Sequence, residues 1–430
     1  MATVRTLAEW LHYVERQHPA SIALGLDRVD TVRRRLGIEF ACTVIIVGGT
    51  NGKGSTCAML DAILRAAGYR VGLYLSPHVV RYNERVRIDG QDATDAALCE
   101  AFTAVEGARR DTPLTYFEFG TLAAAWLFSR AQPEVVVLEV GLGGRLDAVN
   151  LFDADCAVLT VIDLDHMDYL GTTREAIGYE KAGILRPGRP AVLGEAHPPA
   201  SVMAHAATIG ARVLQLGRDF GLAAQSDQWR YWGPAGRRAS LAYPALRGAV
   251  QLGNAATALC TLDTLRDRLP VTMQAVRSGL ARVALPGRFQ RVPGRPSIIL
   301  DVAHNPQAAR ALAGNLGAAG YARETIAVLG MLADKDPCGV VDALTNRVTR
   351  WHVASLPGPR GASAARLQDA LRRVAVAAPV YAHVKPVDAF IAARDAAGDD
   401  DRIVVFGSFL TVGEIAAHLE TTRRRFSIDG

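Results

Sequence analysis

Residues 43–56 read Thr43-Val44-Ile45-Ile46-Val47-Gly48-Gly49-Thr50-Asn51-Gly52-Lys53-Gly54-Ser55-Thr56. The first five carry no polar alternation, the pattern of a strand covered on both faces. The glycines that follow break the strand. A helical run then leads to Gly68, a candidate C-cap, before a second apolar run at Arg70-Val71-Gly72-Leu73-Tyr74-Leu75. Strand, glycine turn, helix and strand make one βαβ unit. In that setting a glycine loop aims backbone N–H groups and the positive end of a helix at an anion, with Lys53 supplying charge and Ser55 or Thr56 a hydroxyl. The spacing departs from G-x-x-x-x-G-K-[ST], because Val47 stands where the first glycine belongs and Gly54 separates Lys53 from Ser55. Two readings stand on this stretch alone, a phosphate-cradling loop and a tight glycine turn.

Apolar runs of the same kind recur at Val135-Val136-Val137-Leu138, Ala157-Val158-Leu159-Thr160-Val161-Ile162 and Ala191-Val192-Leu193. Separated by helical stretches, they predict a mainly parallel sheet. The stretch 218–246, with Trp229, Tyr231 and Trp232 among prolines and glycines, reads as a small β extension. After helical runs over 254–269 and 272–284, the segment 285–296 concentrates chain breakers, and the domain boundary is placed there. Beyond it Ile298-Ile299-Leu300, Ile326-Ala327-Val328-Leu329, His352-Val353-Ala354 and Ile403-Val404-Val405-Phe406 alternate with helical stretches. The expected architecture is α/β, with a P-loop domain over 1–290 and a smaller Rossmann-like domain over 291–430.

At 430 residues, half of them apolar, the chain is long enough for two separate cores, and disorder is excluded. Its 48 Lys and Arg against 43 Asp and Glu leave a net charge too thinly spread to predict nucleic-acid binding. The one dense basic run, Arg423-Arg424-Arg425, reads as a solvated tail. Six scattered cysteines without a C-x-x-C read as reduced thiols. At the amino terminus Thr6 and Glu9 are spaced as a capping box, and Leu7, Trp10, Leu11 and Val14 share one helical face. With no signal-like segment and no apolar run near the ~18 residues of a membrane span, the expectation is a cytoplasmic protein without a membrane or nucleic-acid partner.

In an open parallel sheet, ligands collect outside the carboxyl ends of the strands. The polar residues of this chain cluster there. Val135 to Leu138 is followed by Glu139 and by Gly141-Leu142-Gly143-Gly144-Arg145-Leu146-Asp147; Ala157 to Ile162 is followed by Asp163, Asp165 and His166. A carboxylate and an imidazole beside a phosphate loop are candidate magnesium ligands, although magnesium prefers oxygen. The bland alternatives are a structural pairing of Glu139 with Arg145, and an N-cap or loop role for His166. A similar arrangement follows Ile298-Ile299-Leu300 in Asp301-Val302-Ala303-His304-Asn305-Pro306, where Pro306 suits a first helical turn and a turn-and-cap role competes for Asp301 and Asn305. Two domains with polar strand ends lead us to expect a substrate cleft between them.

With these residues in hand, the chain resembles the folylpolyglutamate synthase family of the Mur ligase superfamily, including its bifunctional dihydrofolate synthase/folylpolyglutamate synthase members. The segments that carry the resemblance run in order through Gly25-Leu26-Asp27-Arg28-Val29, GTNGKGS at 49–55, Ser76-Pro77-His78 with Arg81-Tyr82-Asn83-Glu84-Arg85, Thr115-Tyr116-Phe117-Glu118 and EVGLGGRLDAVN at 139–150. They continue through Asp165-His166, Glu180-Lys181-Ala182-Gly183-Ile184, Asn254-Ala255-Ala256, Gly287-Arg288-Phe289-Gln290, DVAHNP at 301–306 and Gly330-Met331-Leu332-Ala333-Asp334-Lys335-Asp336. The off-register glycine loop resembles that family's own form.

The resemblance implies a Mur-ligase-like fold and an ATP-dependent amide ligase. A carboxylate of a pterin substrate is phosphorylated by Mg·ATP, and the amine of L-glutamate attacks the acyl phosphate. Carried over by position, Gly49, Thr50, Asn51, Gly52, Lys53 and Gly54 line the ATP phosphates, with Ser55 as a secondary phosphate or metal contact. Asn254, Arg288 and Asp301 are the remaining ATP contacts. Magnesium falls to Ser76, Glu139 and His166, and to Lys181, which resembles the family's carbamylated lysine; potassium is a further implied cation. The pterin falls to Leu24, Gly25, Asp27, Arg28, Pro77, Thr115, Tyr116, Phe117, Glu118, Leu146, Asp147 and Ala148, although Phe117 suits a core position as well. His304 is implied near the glutamate or acyl-phosphate end. Val149 departs from the family, which often has Thr there.

The implied partners are dihydropteroate, reduced folates and L-glutamate, handled by a monomer. Four rivals share parts of this pattern. A monofunctional folylpolyglutamate synthase or a cell-wall Mur ligase would use the same chemistry. A nucleotide switch would fit Asp168-Tyr169-Leu170-Gly171 as D-x-x-G, but the chain holds no N-K-x-D. A non-catalytic homologue would not need every phosphate and metal position filled.

Overall fold

The computed structural model describes residues 5–18 and 22–428, with side chains through residue 422. Residues 1–4 of the amino-terminal reading, and the side chains of Arg423, Arg424 and Arg425, lie outside the described residues. The chain divides into two compact units, Met1–His78 with Tyr82–Ala245 and Leu252–Val283, and Val79–Arg81 with Leu246–Gln251 and Ala284–Gly430.

The first unit is built on eight strands: β1 (Thr43–Gly48), β2 (Val71–Tyr74), β3 (Val86–Ile88), β4 (Gln91–Asp92), β5 (Val135–Glu139), β6 (Cys156–Leu159), β7 (Pro190–Leu193) and β8 (Arg212–Gln215). They form one sheet in the order β4-β3-β2-β5-β1-β6-β7-β8. From β2 to β8 all neighbours run parallel, and β3 and β4 add an antiparallel edge. β1, β2, β5, β6 and β7 are buried at every residue, as their unbroken apolar runs require. Val47 pairs with Glu139 on one side and with Val158 on the other, so the three central strands end at nearly one level.

Helix Lys53–Ala66 covers β1 and β2 after the glycine loop. Its C-cap is Ala67, one position earlier than the sequence suggested, and Gly68 follows at φ 94, because the left-handed residue of such an ending lies just beyond the cap. At the amino terminus the Thr6–Glu9 capping box forms, and Trp10 and Val14 are buried with Leu7 and Leu11 packed beside them.

The β extension is a separate antiparallel sheet of β9 (Gly221–Ala224), β10 (Gln228–Gly233) and β11 (Gly236–Ala242). A buried carboxylate ties it to helix Val250–Thr264: Asp263 accepts from Tyr231 Oη at 2.6 Å and pairs with Arg238 at 2.7 Å.

In the second unit β12 (Gln290–Val292), β13 (Ser297–Leu300), β14 (Thr325–Leu329), β15 (Arg350–Ala354), β16 (Val380–His383) and β17 (Arg402–Phe406) lie in the order β12-β13-β17-β14-β15-β16. Only β12 runs antiparallel. Two apolar clusters cover this sheet, one with Trp351 and Phe406, the other with Phe390 and Val405. Among the described residues all six cysteines are free thiols, and no helix is long and apolar enough to cross a membrane.

Candidate active site

Four consecutive parallel strands of the first sheet end in residues the sequence singles out. Ser76 lies just past β2, Glu139 closes β5, the glycine loop follows β1, and the segment to His166 follows β6. Because β2, β5, β1 and β6 are neighbours in that order, the four segments succeed one another along a single carboxyl edge. The Ser76 N–H donates to Glu139 Oε2 at 2.9 Å, and Glu139 is only 4% exposed. Arg145 is paired instead with Glu180 at 2.8 Å, so a structural Glu139–Arg145 pair is not what holds that turn.

The loop needs its glycines for close approach. Gly49 has φ 136, and a Cβ there would sit 1.9 Å from Thr160 Oγ1; Gly52 has φ 93, and its Cβ would sit 2.6 Å from Asn254 Oδ1. The second contact brings Asn254 against the loop from a distant helix. Helix Lys53–Ala66 opens without a side-chain cap, the state in which first-turn N–H groups serve an anion. Gly54 and Ser55 are buried in that first turn, and Thr56 Oγ1, also buried, is without a hydrogen-bond partner among the described residues.

Lys53 folds back on its own loop, donating from Nζ to the carbonyls of Gly49 (3.1 Å) and Thr50 (3.2 Å). Lys181, in the last turn of helix Arg174–Ala182, donates to the same Gly49 carbonyl at 2.9 Å. Burial lowers the Lys181 pKa to about 7, and the charge of Lys53 adds to the effect. Thr50 departs from the expectation of a phosphate donor. Its N–H donates to Val161 O at 2.7 Å, and its hydroxyl donates to Asp163 O (2.9 Å) while accepting from Asp163 N–H (3.0 Å). Both of its donors are engaged within the protein, and Asn51 bridges to Val161 beside it.

His166 occupies the N-cap position of helix Met167–Leu170, but its side chain makes no capping hydrogen bond. Its backbone is left-handed, φ 52 and ψ 41, a conformation a β-carbon makes costly. Its Nε2 lies 3.9 Å from Asp165 Oδ2. Among the described residues no three His, Cys, Asp or Glu side chains group as a metal cluster. The expected set Ser76, Glu139, His166 and Lys181 contains only two such side chains, so it is compatible with that finding.

The segments assigned to the pterin are tied together. Arg28, in helix Asp27–Leu36, donates to both carboxylate oxygens of Glu118 and to Ala23 O, beside the exposed Leu24 and the left-handed Gly25. Glu118 also completes a capping box with Thr115 at the start of helix Tyr116–Ala131. Phe117 is half-buried with its ring against Gly141, where a Cβ would approach to 2.5 Å, while Phe119 is the fully buried core aromatic. Asp147, between half-buried Leu146 and buried Ala148, accepts from the N–H groups of Leu142 (2.8 Å) and Val149 (3.0 Å), and burial pushes its pKa up to about 6.

One residue beside this group went unassigned in the sequence reading. His78 follows Pro77 and accepts from Arg85 Nε at Nδ1 (2.9 Å), which leaves its proton on Nε2. The Arg85 guanidinium lies over the rings of Tyr82 and Tyr116, and burial lowers the His78 pKa to about 4. The tripeptide Ser76-Pro77-His78 was the available signal; the partner seven residues on was not.

In the second unit, Asp301 follows β13 and accepts from Phe289 N–H and Ala303 N–H, both at 2.8 Å. Asn305 caps helix Pro306–Ala318 with Pro306 at its first turn. The turn-and-cap roles are therefore filled. Asp301 holds the turn that presents Arg288, whose guanidinium lies over the Phe409 ring at 5.2 Å. His304 Nδ1–H donates to Val302 O at 2.8 Å, and its ring lies 6.2 Å from Phe409.

Comparison with known proteins matches residues 47–230 to the Mur ligase middle domain and residues 287–409 to the Mur ligase glutamate ligase domain. The dihydrofolate synthase/folylpolyglutamate synthase of Escherichia coli K12 is 45% identical over 422 residues, covering 97% of this chain and 96% of that protein. A structure of Escherichia coli FolC in complex with DHPP and ADP superposes with a TM-score of 0.92 at 44% identity, covering 97% of this chain and 99% of the other. A crystal structure of bifunctional folylpolyglutamate synthase/dihydrofolate synthase with Mn, AMPPNP and L-glutamate bound gives a TM-score of 0.89 at 45% identity, covering 97% and 98%. Matched over almost its whole length in both sequence and fold, the chain belongs to the dihydrofolate synthase/folylpolyglutamate synthase family of Mur ligases.

Proposed function

We propose that this chain joins L-glutamate to dihydropteroate, forming dihydrofolate, and to reduced folates, forming folylpolyglutamates, with ATP converted to ADP and phosphate. The observation that carries this reading is the alignment of Ser76, Glu139, the glycine loop and the His166 segment on four neighbouring strand ends. Residues 1–290 supply the ATP-binding part and 291–430 the glutamate-ligase part of a cytoplasmic monomer.

The chemical obstacle is charge. A phosphate group must approach a carboxylate, and both are anions. Backbone N–H groups of Gly52, Lys53, Gly54 and Ser55 at the start of their helix bind the phosphates, and Lys53 swings from its carbonyl contacts to the outer phosphate. Asn254, in contact with Gly52, holds the nucleotide from the side. Magnesium, when bound, screens the charge between donor and acceptor. Ser76, Glu139 and His166 would hold it, with potassium as a second cation, and Thr50 keeps the His166 segment in register with the loop.

Lys181 enters as a carbamate. A lysine with pKa about 7 is in large part neutral at physiological pH, and the neutral amine is the form that adds to carbon dioxide. The product is an anion next to Lys53, so carbamylation replaces a repulsion by an attraction. The pterin lies against Phe117 with Arg28, Asp147 and Thr115 around it. In the second unit Arg288 and Asp301 serve the nucleotide, and His304, whose Nε2 carries a lone pair once Nδ1–H is committed to Val302, receives a proton from the glutamate ammonium.

The deciding experiment incubates the protein with ATP, magnesium and labelled glutamate, offering dihydropteroate and tetrahydrofolate in separate reactions. Label should pass to both acceptors with ADP release. Transfer to tetrahydrofolate alone would mark a monofunctional synthase, and transfer to muramyl peptides instead would refute the reading.

A further inference from the structure

Between β6 and helix Met167–Leu170 the backbone is gripped from two sides. Thr50 binds Val161 and Asp163 on one side, as described above. On the other, Ile162 N–H donates to Glu195 Oε1 at 3.2 Å, and the Ile162 carbonyl accepts from Arg174 Nε at 2.9 Å. Arg174 Nη2 in turn donates to Glu195 Oε2 at 2.7 Å, closing a ring of three hydrogen bonds around one residue, Ile162. The same Nη2 also reaches His197 O at 3.2 Å. Glu195 lies just past β7, the strand next to β6, and its side chain is 11% exposed. Arg174 opens the helix whose last turn carries Lys181.

Neither residue belongs to the nucleotide, metal or pterin sets. What they hold is the peptide four residues before His166, whose left-handed backbone is unfavourable by itself. A strained residue persists only where its surroundings over-determine it. Thr50 and the Arg174–Glu195 pair are part of those surroundings, together with the Asp163 and Asp165 carboxylates that accept from the Leu164 and His166 N–H groups.

We propose that Arg174 and Glu195 are positioning residues for metal binding: by fixing both polar groups of Ile162 they set where the Asp163–His166 turn presents the His166 imidazole. The inference rests on the reading of His166 as a metal ligand. The guanidinium is suited to the task because its planar fork serves a carbonyl and a carboxylate in a fixed mutual geometry, which a freely rotating ammonium does not impose. Groups that orient a metal ligand from behind typically contribute about 10–100-fold in metal affinity.

The test is manganese binding, followed by electron paramagnetic resonance with a non-hydrolysable ATP analogue present, on the wild type, Glu195→Ala, Arg174→Lys and His166→Ala. Amide exchange of the peptide spanning 160–166 is measured in parallel. Glu195→Ala and Arg174→Lys should each bind manganese about 10–100-fold more weakly. Both should exchange faster over 160–166, with helix Tyr116–Ala131 unchanged as the folding control. If His166→Ala loses affinity while the other two bind as wild type, the positioning role is overturned. If His166→Ala itself binds normally, the metal reading fails and this inference falls with it. Should Glu195→Ala not fold, Arg174→Lys keeps the charge and stem and carries the same comparison.

Discussion

Lys53 and Lys181 share one acceptor: the Gly49 carbonyl takes a hydrogen bond from each, at 3.1 and 2.9 Å. Burial disfavours the Lys181 ammonium and the neighbouring Lys53 charge adds to the effect, so the Lys181 pKa falls from 10.5 to about 7. Between those two values the native chain holds fewer protons than the unfolded chain, so stability rises with pH across the window. Lys181→Met should flatten that rise and stabilise the ligand-free protein near neutral pH by on the order of a few kcal/mol. Urea unfolding at both ends of the window measures it; an unaltered slope would contradict the assignment.

The carbamate proposed on Lys181 predicts that turnover depends on dissolved carbon dioxide. Activity should fall severalfold in degassed, bicarbonate-free buffer and return when bicarbonate is added. Mass spectrometry of the intact protein under mild conditions should detect the added CO2, and its loss in Lys181→Met. Turnover indifferent to bicarbonate would remove this part of the mechanism.

Lys53→Ala should lower kcat/KM by at least about a hundredfold, the usual loss when one charge-stabilising donor is removed. Among the described residues its hydrogen bonds go to the carbonyls of its own loop, and its removal relieves the repulsion on Lys181, so the thermal midpoint should not fall. ADP release and differential scanning fluorimetry separate the two effects, and near-normal turnover would sink the loop assignment.

His166 offers a comparison of two substitutions. Both His166→Ala and His166→Gly should need at least about tenfold more magnesium for half-maximal activity. Glycine accepts φ 52 without the β-carbon penalty, so the Gly variant should be the more stable by about 1 kcal/mol. Equal stability would mean that the turn relaxes in the variants, and an unchanged magnesium titration would count against His166 as a ligand.

The buried parallel strands were legible because an unbroken apolar run has few other uses, and the glycine loop because its breakers stand between such a run and a helix. The short edge strands β3, β4 and β16 were not, since two to four residues carry no period. Individual site residues could be named from their place at strand ends, but not their bonds. The partner of Lys181 lies 132 residues away, and Glu195 and Arg174 meet only because β7 returns beside β6. Thr50 shows the opposite limit. Its position in a glycine loop suggested a ligand contact, and only tertiary hydrogen bonds reveal that its donors are engaged elsewhere.

The Thr50 hydroxyl, acting as donor and acceptor to a single residue, joins the glycine loop to the turn proposed to hold the cation. Occupancy of either should then be communicated to the other. Thermodynamic reciprocity sets the terms: whatever factor the nucleotide gains in affinity from the cation, the cation gains from the nucleotide. Removing the hydroxyl, as Thr50→Val would, should weaken the coupling of the two equilibria, while the backbone bond from Thr50 to Val161 remains and each ligand keeps its own contacts.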